Sequence, residues 1–436
     1  MDISNVVCPA IEKIRCKITA RAQSLHRNEQ YHKLCNMYYI IINSESKRNI
    51  ITSANISILT MLVTDAYYQL GEYEQCISHI KEAEAKGILP PMHIHSELMR
   101  GWINVKLSRW REAHDVATYW LKYADEHNMP LATALFLHLI GRAHYLSGRI
   151  SQASRSLHDS DALFRYLKLQ YQSAKVANAL GAIEKTSGNL NRAIKYLDES
   201  ERLMLGDGLV RKVQSVRINK AIVLYKIGRY AETLENVESI REKDDGHNQV
   251  WMLHSKIIKA RAQIELGNIS IATQTLHSIL SIITKNHYCR EEVLVIESLG
   301  DIAVVCNKLD DAERYYLRAT QIATALGERS ELVLGLIRRR GTLMYTLGDH
   351  SKAIEYFKQA RTLAEKSKDV YEHGNTLLGL SRCYTVTGQH SVAYRYIRKA
   401  IDVFSSPSKN PEFALRHRSP EMMTGDTPTG GSAAKM

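Results

Sequence analysis

The chain has 436 residues, eight prolines, seven cysteines and a formal net charge of +12, so the choice lies between several globular domains and one extended repeat array. No apolar run reaches the ~18 residues of a membrane-spanning helix, and the start MDISNVVCPAIEKIRC lacks the basic and apolar regions of a secretory leader. The cysteines (Cys8, Cys16, Cys35, Cys76, Cys289, Cys306 and Cys383) are scattered and never in a C-x-x-C pair, which argues against a disulfide framework or zinc site and for reduced, mostly buried thiols in the cytoplasm.

In chain order, the first expected elements are two weak helical hairpins, around Ala22 with a turn at Glu29 and around Thr64 with a turn at Gly71. Pro90 and Pro91 then open a helix carrying His93 and His95, whose i, i+2 spacing points the rings apart and favours a structural over a metal-binding role. The next hairpin has Gly101 in mid-helix and Ser108 at the turn. It also holds Trp102, Trp110 and Trp120, read first as packing and second as an aromatic ligand platform. The same mid-helix and turn pairs return as Gly141 with Gly148, Gly181 with Gly188, Ala221 with Gly228, and Ala260 with Gly267.

Three fuller examples follow. They run Gly300, Asn307, Ala312, Tyr316, Ala319; then Gly341, Gly348, Ala353, Phe357, Ala360; then Ser381, Gly388, Ala393, Ile397, Ala400. Each has a small residue, a turn residue seven further on and another small residue five after that, with a period of about 40 residues. A small residue in mid-helix lets a second helix approach closely, and Gly at the turn takes the left-handed conformation that ends a helix. Large residues such as Leu157, Leu197, Tyr316 and Phe357 then fill the groove beside the neighbouring hairpin. One hairpin leaves a face bare, so only stacking buries a continuous core. No proline falls between 131 and 406, which favours unbroken helices.

This series resembles the tetratricopeptide repeat (TPR) superfamily, in the longer-repeat form of bacterial signalling and transcriptional regulators and of some adaptor proteins; GTLMYTLGDHSKAIEYFKQA and HLIGRAHYLSGRISQASRSL carry it best. Thr64 and Cys76 depart from it, standing where Gly or Ala is usual. The resemblance implies an all-α, right-handed superhelical solenoid of about ten antiparallel helix pairs. The expected organisation is a degenerate hairpin over 1–50, a solenoid of about nine hairpins over 51–404, and a disordered Ser/Thr/Pro/Gly-rich tail over 405–436.

The resemblance also implies that each first helix lines the concave surface. Projected onto this chain, that nominates Asp65, Tyr68, Trp102, His138, Arg142, Tyr145, Lys175, Asn178, Lys185, Asn219, Tyr225, Arg261, Glu297, Asp301, Arg338, Tyr345, Asn375 and Arg382 as a mostly basic binding groove. The run Arg338, Arg339, Arg340 spans most of a turn, so one member is expected in the groove and the others at solvent. The expected partner is a protein or peptide segment with acidic residues. The alternative is a sensor arm, as in regulators of the sigma-54 type, without the ATPase domain.

The tail segment GDTPTGGS has the frame of a phosphate-binding loop, but Gly431 stands where Lys is needed and Pro428 removes a cradle N–H. It reads as a relic of such a domain or as chance. No H-E-x-x-H, G-x-S-x-G or carboxylate pair with a His occurs, so no enzyme, metal or cofactor is expected. The basic residues are interleaved with Asp and Glu on every hairpin, which argues against sequence-specific nucleic-acid binding.

Overall fold

The computed structural model describes residues 17–27, 30–42, 53–85, 90–107, 109–210, 212–240, 249–286, 288–326 and 331–405. The tail, the turn residues Glu29 and Ser108, Cys8 and Cys16 lie outside them. The described residues form twenty helices and no strand. In pairs they are α1 (Lys17–Arg27) and α2 (Tyr31–Ile42), α3 (Ser53–Leu70) and α4 (Tyr73–Ala85), α5 (Pro90–Lys106) and α6 (Trp110–Glu126), α7 (Pro130–Leu146) and α8 (Ile150–Tyr166), α9 (Gln170–Thr186) and α10 (Leu190–Gly206). The series continues with α11 (Val213–Ile227) and α12 (Tyr230–Glu238), α13 (Gln249–Glu265) and α14 (Ile269–Lys285), α15 (Cys289–Val305) and α16 (Leu309–Leu326), α17 (Glu331–Thr346) and α18 (His350–Ser367), α19 (Val370–Val386) and α20 (His390–Ser405). None is long and apolar enough to cross a membrane.

The turns follow from backbone chemistry. Gly71, Gly148, Gly188, Gly228, Gly267, Gly348 and Gly388 all have φ between 74° and 86°, within the left-handed region, and Asn307 joins them at 57°.

 Each turn closes the same way: the Arg149 N–H returns to the His144 carbonyl at 2.9 Å, as Asn189 does to Glu184 and Asp349 to Met344. A second set of left-handed residues, Asn128, Lys168, Gly208 and Lys368, joins one hairpin to the next at multiples of 40 residues. Two of these are lysines, so their residue type did not mark them as turns in the sequence.

The small residues do what the spacing requires. A Cβ on Gly300 would stand 2.5 Å from the Tyr316 ring, and one on Gly341 would stand 3.0 Å from Phe357. On Gly141 it would meet Leu157 at 2.7 Å. The twelve-residue register holds at its weakest members too, since the Cys76 thiol donates to the Thr64 carbonyl at 3.3 Å and Ser381 Oγ to the Ala393 carbonyl at 3.1 Å. Gly101 differs, because a Cβ there would meet Leu139 of the following hairpin rather than its own second helix.

The helices divide into two compact units. The first takes the chain through Ile183 together with Glu199–Val210; the second takes Glu184–Asp198 and the helices from α11 onward. In the first, Ala22, Leu25, Leu34, Leu59 and Val63 form one core cluster. In the second, one cluster gathers around Leu253, Leu276 and Leu299, and another around Tyr316, Leu336 and Phe357. Serines replace the small alanines twice in the first unit, where buried Ser160 and Ser200 donate to the carbonyls of Ala134 and Ala174, both at 2.7 Å. Among the described thiols Cys76 and Cys383 are buried and Cys306 is exposed; burial pushes the Cys76 thiol up to about 12, far from a thiolate nucleophile.

Candidate functional site

The first helices of the second unit put one face toward a common cleft. The residue after each mid-helix small residue lies on that face: Arg261 after Ala260 on α13, Asp301 after Gly300 on α15, and Thr342 after Gly341 on α17. The cleft has a volume of about 630 Å³. Of the eighteen nominated residues it gathers Lys185, Tyr225, Arg261, Glu297, Asp301, Arg338 and Asn375. Its apolar wall comes from Ile222, Ile257, Leu294, Val304 and Leu332.

Its charges are arranged in pairs. Arg261 donates from Nη2 to Glu297 Oε1 at 2.8 Å and from Nε to Ser298 Oγ at 2.9 Å. Arg339 reaches the same Glu297 oxygen at 2.9 Å and donates from Nε to Asp301 Oδ1, also at 2.9 Å. The Tyr316 hydroxyl donates to that Asp301 oxygen at 2.7 Å. Burial alone would lower the Arg339 pKa, but Asp301 and Glu297 together outweigh it and hold the guanidinium charged. Nearby, Arg338 donates to Glu372 Oε2 at 2.6 Å. Burial opposes the Glu372 charge, and Arg338 and Lys226 overcome it and keep the carboxyl below its ordinary range. Tyr225 donates to Glu265 at 3.1 Å, and the Lys226 ammonium lies 4.5 Å from the centre of the Tyr371 ring.

Two expectations change here. Arg338 and Arg339 both line the cleft in ion pairs, and only Arg340 lies apart, its guanidinium 4.7 Å above the Tyr356 ring. Consecutive residues diverge by about 100° on a helix, but the long side chains of Arg338 and Arg339 fold to different carboxylates. The cleft is also nearly charge-balanced: Lys185, Lys226, Arg261, Arg290, Arg338 and Arg339 face Glu265, Glu297, Asp301, Asp369 and Glu372. The cationic excess is therefore one charge, since Glu372, Glu265 and Asp369 lie on the same face as the arginines.

In the first unit the nominated residues have different fates. Asp65 is buried rather than presented to a groove, its Oδ2 2.6 Å from His26 Nε2. Tyr68 packs near Tyr73, with ring centres 6.0 Å apart. Trp102 and His138 are both buried and meet edge to face at 5.1 Å. Arg142 lies over the Tyr145 ring at 5.4 Å, and Lys175 over Tyr171 at 5.5 Å, while Asn178 is half-buried. The remaining three stand outside the cleft of the second unit: Asn219 and Tyr345 are half-buried, the latter beside His350 at 5.4 Å, and Arg382 is exposed.

Residues 292–366 match the family model for the tetratricopeptide repeat. A Rap protein solved in complex with competence and sporulation factor is 13% identical with a TM-score of 0.61, over 80% of this chain and 97% of that one. The apo quorum sensor NprR from B. thuringiensis is 14% identical with a TM-score of 0.53, over 78% of this chain and 98% of that one. The described helices thus have the fold of TPR-like repeat proteins, and residues 292–366 carry the repeat pattern itself. Signal recognition particle subunit SRP72 of Caenorhabditis elegans is 24% identical over 144 residues, which is 33% of this chain. The chain matches only 22% of that relative's length.

Within the TPR-like frame, sequence reasoning missed Arg339, Glu372 and Tyr371. Only Arg339 carried a signal, the interruption of an apolar helix by three arginines. His93 and His95 diverge as their spacing requires, His93 lying exposed against Trp120 at 5.1 Å while His95 is buried. The three tryptophans do not form one platform: Trp102 meets His138, Trp110 lies under Arg111 at 4.9 Å, and Trp120 packs with Tyr119, Tyr123 and Phe136.

Proposed function

We propose that this chain is a protein-interaction module that holds a segment of a partner protein in the cleft of its second unit. The observation that carries this reading is the cleft itself, in which a wall of Ile and Leu stands beside charges already fixed by their own partners. Such a wall accepts apolar side chains, while Asn375, Thr342 and Lys185 at its surface are suited to backbone carbonyls and carboxylates. The single excess positive charge favours a partner segment with a small acidic excess, and Lys185 is the cation placed to meet it.

The test is capture of partners on the immobilised full chain, with cross-links mapped to cleft residues. Thr342 and Val305 both line the cleft outside its ion pairs, so Thr342→Trp and Val305→Trp should fill it and release the captured segment. Capture that survives both substitutions, with cross-links elsewhere, overturns the reading. A regulatory arm is the second reading, supported by two relatives of this fold, one named a quorum sensor and one solved with competence and sporulation factor. It requires a change in small-angle scattering when the captured segment is added, which a static scaffold does not show.

A further inference from the structure

A small buried residue near the start of α10, α12, α18 and α20 sets a common register: Ala193, Thr233, Ala353 and Ala393. The position four residues on packs against the following hairpin. On α18 it is buried Phe357, and a Cβ on Gly379 of α19 would stand 2.5 Å from its ring. The position five residues on carries charge across the joint between hairpins. Asp198 on α10 accepts from Lys220 Nζ on α11 at 2.6 Å, and Glu238 on α12 accepts from Lys259 Nζ on α13 at 3.1 Å. In both joints the acid is on the second helix, and the lysine stands just before the mid-helix small residue of the next first helix, Ala221 or Ala260.

Helix α20 repeats this shape and inverts its charge. Ile397 takes the place of Phe357, and Arg398 takes the place of Asp198 and Glu238. Among the described residues no helix follows α20, and its apolar stripe is open: Tyr394 is 65% exposed, Ile401 49%, and Ile397 between them is half-buried. Their counterparts on α18 are Ile354, Phe357 and Arg361, all buried or half-buried, with Arg361 donating to the Tyr396 hydroxyl of α20 at 3.3 Å. Arg395, Arg398 and Lys399 lie exposed along the open stripe, and among the described residues none of them is in an ion pair. Asp402 is the single carboxylate of the helix.

We propose that the open face of α20 docks an acidic amphipathic helix of a partner protein, seated as the first helix of a further hairpin. The sign of the charge selects this occupant. A second copy would set the Arg398 cluster against itself. The only Phe and Leu beyond α20, Phe413 and Leu415, are followed by Arg416 and Arg418, which bring the same charge. A partner helix with a small residue over Ile397 and a carboxylate just before it restores the pairing of the two inner joints with its sign reversed. The face is separate from the cleft, none of whose lining residues lies on α20.

The probe is the α15 sequence, residues 289–305, made as a labelled peptide with Cys289→Ser and with Leu299, the residue before Gly300, changed to Glu or to Lys. A lactam between Leu294→Lys and Ser298→Glu, on the opposite face, holds it helical. Fluorescence anisotropy follows each peptide as the full chain is added. The Leu299→Glu peptide should bind with Kd below about 1 mM, and the Leu299→Lys peptide at least about 5-fold more weakly. In the full chain, Arg398→Glu should reverse that order, and Ile401→Asp should weaken both peptides about 10-fold with helical circular dichroism retained. Thr342→Trp, in the cleft, should change neither. No binding of the Leu299→Glu peptide, an order unchanged by Arg398→Glu, or loss of binding in Thr342→Trp overturns the proposal. Three further results overturn it by assigning the face elsewhere. Peptide affinity raised about 10-fold by joint Phe413→Ser and Leu415→Ser assigns it to the chain's own tail, since such a tail competes for the face. A dimer that Ile401→Asp dissociates assigns it to a second copy, and sedimentation with phosphatidylserine vesicles that Ile401→Asp abolishes assigns it to a membrane.

Discussion

Arg261 and Glu297 face each other from α13 and α15, the guanidinium Nη2 donating to the carboxylate Oε1 at 2.8 Å with side chains 18% and 4% exposed. On sequence grounds Arg261 is a solvated groove cation whose removal leaves stability almost unchanged. The pair makes it a structural residue. Removing one member of a buried pair costs about 3–5 kcal/mol, but Arg339 still reaches Glu297. Arg261→Ala is therefore expected to cost about 2 kcal/mol. Lys185→Ala, which breaks no such pair, should stay within ~0.5 kcal/mol. Urea denaturation of both variants checks the contrast, and equal effects would dissolve it.

The close helix crossings separate two glycines of similar appearance. A Cβ on Gly300 would stand 2.5 Å from the Tyr316 ring, which is buried and tied through its hydroxyl to Asp301. A Cβ on Gly335 has Arg339 Nη1 at 3.5 Å as its nearest neighbour. Gly300→Ala should therefore destabilise by about 1–3 kcal/mol through overpacking. Gly335→Ala should be neutral or stabilise by up to ~1 kcal/mol, since it removes a glycine from a helix interior. Gly341→Leu, against Phe357, should cost at least as much as Gly300→Ala. Thermal unfolding of the three variants ranks them, and a destabilising Gly335→Ala would show that the cleft helix cannot take a methyl group.

The turns offer a test with opposite signs. Gly348 has φ of 83°, where a Cβ is strained, so Gly348→Ala should cost about 1 kcal/mol. Lys168 already has a left-handed φ of 56° as a non-glycine residue, so Lys168→Gly should stabilise by up to ~1 kcal/mol. Melting temperatures that move in the same direction for both would refute the turn assignment.

The architecture was legible because its cause is local. Gly300 and Tyr316, or Gly341 and Phe357, are sixteen residues apart in one hairpin, and the turn residues between them, Asn307 and Gly348, mark where each helix stops. The left-handed Lys168 and Lys368 were not legible, since a lysine gives no sign of its backbone angle. The geometry of the candidate cleft was legible in part. The projection found which helices carry it, but the pairing of Arg261 and Arg339 with Glu297 depends on residues more than 30 positions apart. Asp65 shows the same limit: it looks like a groove acid until His26, from the preceding hairpin, closes over it.

Acid should loosen the first unit through His95. This side chain is 4% exposed, and burial lowers its pKa from 6.5 to about 4, with His26 working in the same direction and Asp65 against it. A histidine held below its unfolded value contributes stability that is fully present above pH 6.5 and lost as the pH falls from there through 4. At about 1.4 kcal/mol per unit the loss from this residue is roughly 3 kcal/mol. His144, which burial followed by Arg149 and His114 also lowers to about 4, acts in the same window. Urea midpoints measured from pH 7.5 to 4 should therefore fall steadily for the unaltered chain. In His95→Leu the neutral, apolar side chain needs no proton, so the slope should flatten and leave the smaller His144 contribution behind. An unchanged slope in that variant would mean that His95 reaches water before it is protonated.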